Sequence, residues 1–136
     1  MRVFITGATG FIGSQVVKEL IAAGHEVLGL ARSDASAQAL KAVGAKVQRG
    51  ALEDMESLKT GTAASDAVIH LGMSHDSSNF LNSWETDRQA IEAIKDLLTT
   101  SHRRLLPGPL GIGSWLKRMW ACRPHNANSK SEGLFI

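Results

Sequence analysis

Gly7, Gly10 and Gly13 recur at three-residue spacing within Thr6-Gly7-Ala8-Thr9-Gly10-Phe11-Ile12-Gly13. Directly before them stands a short β-branched and aromatic run, Arg2–Thr6. Directly after them Ile12, Val16, Val17, Leu20 and Ile21 repeat at helical spacing, and Gly24 closes the repeat. A strand, a glycine turn and a helix in that order can hold a diphosphate. The first glycine permits the tight turn, the second lets the backbone approach an anion with no Cβ in the way, and the third lets helix and strand pack closely. Free N–H groups and the positive end of the helix dipole supply the attraction. No Gly-Lys-Ser/Thr follows, so the loop is not a P-loop. The competing reading is a purely structural turn. The placement after a strand and before a helix weighs against it.

A second place carries chemistry. A dinucleotide site for NAD puts Asp or Glu about 20 residues beyond the glycines, where it binds the ribose 2′-OH. Here that place reads Ala31-Arg32-Ser33. A guanidinium and a hydroxyl suit a 2′-phosphate, because arginine offers a charged, bidentate fork. The expected cofactor is therefore NADP rather than NAD. The alternative for Arg32 is an exposed residue at the sheet edge, and Asp34, just beyond, works against the phosphate.

These residues need a scaffold, and the pattern supplies one. Glu26–Ala31 reads as a second strand, and Ser33 or Asp34 caps a helix running through Leu40 and Val43 to Gly44. Residues 45–48 form a third strand, 54–59 a small helix and 67–71 a fourth strand. Ser77, Ser78 or Asn79 caps a long helix whose stripe is Phe80, Leu81, Trp84, Ile91, Ile94, Leu97 and Leu98. Four strand–helix alternations with mostly continuous apolar strands predict an α/β fold. It is a Rossmann-like, doubly wound parallel sheet of about four strands.

Composition bounds the rest. A chain of 136 residues, 43% hydrophobic and 21% charged, suits one globular domain. No apolar run approaches the ~20 residues of a membrane span, and no signal peptide is evident. Cys122 is the only cysteine, which excludes an internal disulfide and suits a reducing, cytoplasmic location. The first 100 residues hold nine Lys/Arg against twelve Asp/Glu, and the last 36 hold six against one. All three prolines lie in that last stretch. Residues 1–100 therefore read as a nucleotide-binding domain and 101–136 as an irregular basic tail.

Within the tail, residues 103–106 could begin a fifth strand, which Pro107-Gly108-Pro109 stops. Residues 115–120 suit a helical turn or two, and 123–132 are polar and aperiodic, hence expected to be disordered. Three readings compete: a truncated or frame-altered product of a longer gene, a basic extension for an acidic partner or nucleic acid, or a cover for an exposed sheet edge. Arg103, Arg104, Lys117, Arg118, Arg123 and Lys130 match no nucleic-acid module. A second copy or a partner chain could cover the edge equally well.

Other polar residues are weaker candidates. His70 ends an apolar strand and reads as a packed or pocket-lining side chain. His75 and Asp76 lie near the expected cleft, where a capping or solvated role is the simpler reading. Nothing near Cys122 activates a thiol, and no cluster has metal-ligand spacing.

Residues 1–13 resemble the opening of the extended short-chain dehydrogenases, the NAD-dependent epimerase/dehydratase family. The likeness continues through Ala22, Gly24-His25-Glu26-Val27, Leu52-Glu53-Asp54 and Ala67-Val68-Ile69-His70-Leu71, covering about residues 1–100. His75-Asp76-Ser77-Ser78-Asn79-Phe80 and Asp87-Arg88-Gln89-Ala90-Ile91 are similar to an atypical branch whose members bind the nucleotide but often lack the standard active-site residues. The resemblance implies that Gly7, Thr9, Gly10, Phe11, Ile12 and Gly13 cradle the diphosphate. It further implies Arg32 and Ser33 at the 2′-phosphate, Leu52 against adenine, and Leu71 and Gly72 near the nicotinamide ribose.

Two departures stand out. Ala51 occupies a position where the family often has an adenine-binding Asp. The family's Tyr-x-x-x-Lys proton-transfer motif has no counterpart, because the chain contains no tyrosine. The resulting expectation is an NAD(P)-binding family member without the standard catalytic centre, its small-molecule substrate unspecified. The alternatives are a non-catalytic NADP-sensing module and a non-functional fragment of a longer oxidoreductase.

Overall fold

The computed structural model describes residues 1–72, 80–101 and 104–107. Within them the chain alternates β1 (Arg2–Thr6), α1 (Phe11–Ala22), β2 (Glu26–Ala31), α2 (Asp34–Ala42), β3 (Lys46–Arg49), α3 (Met55–Ala63), β4 (Ala67–His70), α4 (Phe80–Ser101) and β5 (Arg104–Pro107). The strands form one sheet in the order β3-β2-β1-β4-β5, every pairing parallel. This is the doubly wound architecture. The order reverses between β1 and β4, and the crevice at such a switch point is where open α/β sheets take their ligands.

Strand alternation explains the two helical layers. Val3, Ile5, Val27 and Ile69 face one way and pack with Val16, Val17 and Leu20 of α1 and Ala37 and Leu40 of α2. Phe4, Leu28 and Val68 face the other way and pack with Leu58 of α3 and Ala90, Ile94 and Leu98 of α4. Successive strand residues point to opposite faces, so one short strand feeds both cores.

Local signals set most boundaries. Gly24 ends α1 at φ +84, with its N–H donating to the Ile21 carbonyl and that of His25 to the Leu20 carbonyl. That left-handed C-cap satisfies carbonyls the helix leaves open. Ser33 caps α2, its Oγ accepting the Ser36 N–H at 3.2 Å. Asp54 caps α3 through the N–H groups of Glu56 and Ser57. The small helix runs to Ala63, four residues past its expected end.

Three expectations need correction. The sheet has five described strands rather than about four: β5 pairs with β4 from Ala67↔Arg104 to His70↔Pro107. Pro107 does not prevent this, because it is the last residue of the last described strand, where a missing N–H is tolerated. Trp84 does not join the buried stripe of α4 but is 67% exposed. The buried face runs instead through Ser83, Ala90, Ile94 and Leu98, and Trp84 sits about 100° around the helix from Ser83. Ile12 is similarly turned outward on α1, at 47% exposure. Residues 77–79, expected to cap α4, His75, Asp76, Cys122 and the tail beyond residue 107 lie outside the described residues.

Candidate functional site

The glycine turn joins β1 to α1 at the carboxyl edge of the sheet, and each glycine has a distinct reason. Gly7 takes φ +70, and a Cβ there would lie 2.6 Å from the Gly72 nitrogen. The turn is thus pressed against the residues that follow β4. At Gly13 a Cβ would stand 2.0 Å from the Gly7 carbonyl oxygen. Its hydrogen is what lets α1 sit on the turn. Gly10 differs. It is exposed, and its Cβ would meet only that same oxygen, at 3.3 Å.

Gly10 is also the N-cap of α1 and brings no side-chain acceptor to the first turn. The N–H groups of Phe11, Ile12 and Gly13 have no acceptor within the helix. Thr9 and Phe11 are exposed beside them, Phe11 at 92%. Three N-terminal donors with a bare backbone in front form the ordinary receptor for an anionic oxygen.

The other predicted residues gather at the same edge. Leu71 and Gly72 follow β4 directly, and both are half-buried. The Leu71 N–H donates to the Thr6 carbonyl and that of Gly72 to Thr6 Oγ1, at 3.1 Å each. Leu52, in the connection from β3 to α3, has its methyl groups 3.1 Å from where a Gly72 Cβ would be. Leu52, Gly72 and Gly7 are therefore packed in sequence across the switch point.

Arg32 and Ser33 form the turn from β2 into α2, and both are exposed. The Ser33 hydroxyl already serves the cap, accepting from Ser36 and donating to Ser36 Oγ at 3.0 Å. Asp34 does not face the turn alone: its Oδ1 is 3.0 Å from Arg49 Nη2 at the end of β3.

Two groups escaped the sequence reading. Buried Thr6 and His70 and half-buried Asp87 form a chain: Thr6 Oγ1 lies 2.8 Å from His70 Nδ1, and His70 Nε2 lies 2.7 Å from Asp87 Oδ1. The signal available was the polar residue at the end of each of two apolar strands, Thr6 and His70. Their adjacency is a register fact, Thr6↔His70, which one-dimensional reading does not supply. Arg49 is the other. It pairs in register with Ala31, immediately before Arg32. Among the described residues no group of three His, Cys, Asp or Glu is placed to hold a metal ion, and no helix is long and apolar enough to cross a membrane.

Comparison with known proteins points the same way. Residues 3–110 match the model of the NAD dependent epimerase/dehydratase family. An uncharacterized protein of Saccharomyces cerevisiae is 54% identical over 108 residues, which cover 78% of this chain and 36% of that protein. Among solved structures, UDP-glucose-4-epimerase of Stenotrophomonas maltophila with bound NAD superposes with a TM-score of 0.64 at 21% identity, over 79% of this chain and 36% of that one. The protein AtPrR2, solved with NADP+ and (+)pinoresinol, gives 0.55 at 26% identity over 71% and 33%. The chain thus spans about a third of the length of the relatives it matches.

Proposed function

The chain belongs to the NAD dependent epimerase/dehydratase family, and from that premise we propose that it binds a nicotinamide dinucleotide, NADP in preference to NAD, along the carboxyl edge of its sheet. The observation that carries this reading is the bare, exposed N-cap at Gly10 between two sterically locked glycines. Gly7, Thr9, Gly10, Phe11, Ile12 and Gly13 would hold the diphosphate. Arg32 would meet the 2′-phosphate, with Ser33 joining it by exchanging its Ser36 contact. Leu52 would lie against adenine, and Leu71 and Gly72 beside the nicotinamide ribose. Ala51 offers adenine no side-chain acceptor, which leaves apolar and backbone contact.

Bound nicotinamide supplies a hydride donor or acceptor. The chain's own residues bind and orient it, and Thr6 and His70 fix the wall formed by Gly72. The stretch matched to the relatives is about a third of their length and holds no tyrosine; the second reading is a nucleotide-binding or sensing module without turnover.

Fluorescence titration with NADPH and NADH tests the assignment. NADPH is expected to bind more tightly, and Arg32→Ala to close most of the gap. Equal affinities in the unaltered chain overturn the preference, and no binding of either overturns the site. Hydride turnover against a panel of carbonyl compounds separates the enzyme from the sensor.

A further inference from the structure

We infer that Arg49 is a second specificity-determining residue for the 2′-phosphate, held by Asp34 in the free protein and released to the phosphate when the cofactor binds. This rests on the NADP reading above and extends it to a residue on a different strand. Three observations carry it.

The first is register. β2 and β3 run parallel with Ala31 opposite Arg49. Neighbouring strands lie about 4.8 Å apart, so Arg49 ends β3 alongside the point where β2 gives way to Arg32. The Gly50 N–H donates to the Ala31 carbonyl at 3.2 Å, which fixes that alignment one residue further on.

The second is direction. The Arg49 guanidinium reaches Asp34 Oδ1 at 3.0 Å, and Asp34 is the first residue of α2. The fork therefore stands over the turn made by Arg32 and Ser33. That is the turn that meets the ribose 2′ position in a dinucleotide fold.

The third is strength. Both partners are exposed, the Asp34 side chain at 92% and that of Arg49 at 52%. Ion pairs this exposed contribute little and do not lock a side chain in place. A phosphate monoester carries about −1.5 to −2 charge near neutral pH and offers three strong acceptors, against one charge on a carboxylate. The 2′-phosphate outcompetes Asp34 for the guanidinium, whereas a 2′-hydroxyl does not. Asp34 thus acts against NADP in the free chain, and Arg49 cancels that effect. The plainer role for Arg49 is a charge that protects β3, an edge strand, from pairing with other chains.

The test is a set of NADPH and NADH titrations on the full chain and on Arg32→Ala, Arg49→Ala and Asp34→Asn. Charge-assisted hydrogen bonds at an exposed site predict that Arg49→Ala weakens NADPH about tenfold and NADH by less than about twofold. Asp34→Asn is expected to tighten NADPH and leave NADH nearly unchanged. If Arg49→Ala keeps the wild-type NADPH-to-NADH ratio while Arg32→Ala loses it, this inference fails and the NADP reading survives. If both variants keep the ratio, the NADP reading itself fails. An Asp34→Asn chain that binds NADPH no more tightly than wild type overturns the competition between carboxylate and phosphate.

Discussion

His70 Nε2 lies 2.7 Å from Asp87 Oδ1, tying the end of β4 to the inner face of α4. The other ring nitrogen faces Thr6 Oγ1, and that oxygen accepts the Gly72 N–H. One proton order satisfies every group: the Thr6 hydroxyl donates to Nδ1, and the Nε2–H donates to the Asp87 carboxylate. The network thereby fixes Gly72, which closes one side of the glycine turn.

Asp87→Ala leaves a buried imidazole N–H without its acceptor. The expected loss is about 1–3 kcal/mol, and Asp87→Asn, which keeps an acceptor oxygen, is expected to lose less. Urea unfolding measures both. In a double-mutant cycle with His70→Gln the coupling should reach about 0.5–3 kcal/mol. Coupling near zero means the pair is not made in solution.

Gly10 and Gly13 separate binding from folding. Gly10→Ala meets one oxygen at 3.3 Å and an extended φ of −70, so its stability should stay within about 1 kcal/mol of wild type. On the proposed binding its NADPH affinity should nevertheless fall sharply, because the methyl group would crowd the bare N-cap of α1. Gly13→Ala drives a Cβ to 2.0 Å from backbone and should destabilise by several kcal/mol. Thermal unfolding beside NADPH titration checks the contrast. Equal behaviour of the two variants in both assays rejects it.

His25 should set part of the acid sensitivity. Burial, then the nearby positive amino terminus, lowers its pKa from 6.5. The folded chain therefore resists protonating it while the unfolded chain does not. Its contribution is full above ~6.5 and is lost as pH falls through the lower folded value. Urea midpoints at pH 7.5 and 5.5 should differ more for wild type than for His25→Gln. The Glu85 carboxyl, held down to about 2 by Arg88 and then Gln89, stays ionised across that window. An unchanged difference in His25→Gln removes His25 from the account.

Gly61 lets α3 lie on the Phe4 ring. A Cβ there would stand 2.5 Å from Phe4 Cζ, and Phe4 is fully buried and cannot swing away. Gly61→Ala should cost about 1–3 kcal/mol. Phe4→Leu in the same chain should recover part of that loss, while the NADPH-to-NADH ratio stays at its wild-type value. Additive losses in the double variant mean the two residues do not touch.

The glycine turn was legible because everything it needs lies within residues 2–24: a strand, three spaced glycines and an amphipathic repeat. The capped helices, four of the strands and the doubly wound class follow from similarly local signals. The fifth strand was obscured by Pro107, whose missing N–H counts against a central strand and is harmless at the end of the outermost described strand. Trp84 misled because it fits an apolar stripe by spacing, while the packed face of α4 runs through its neighbour Ser83.

Composition and periodicity alone determined the fold class, the place of the glycine turn and the basic residue after β2. Only the tertiary structure decided that Asp87 meets His70, that Thr6 holds Gly72, and that Arg49 stands beside Ala31 and over Asp34. The physical reason is reach along the chain. Turns and caps are short-range hydrogen-bond and steric choices, written in adjacent residues. Strand register and helix facing are set by the packing of the whole sheet, which brings together residues 15 to 66 positions apart.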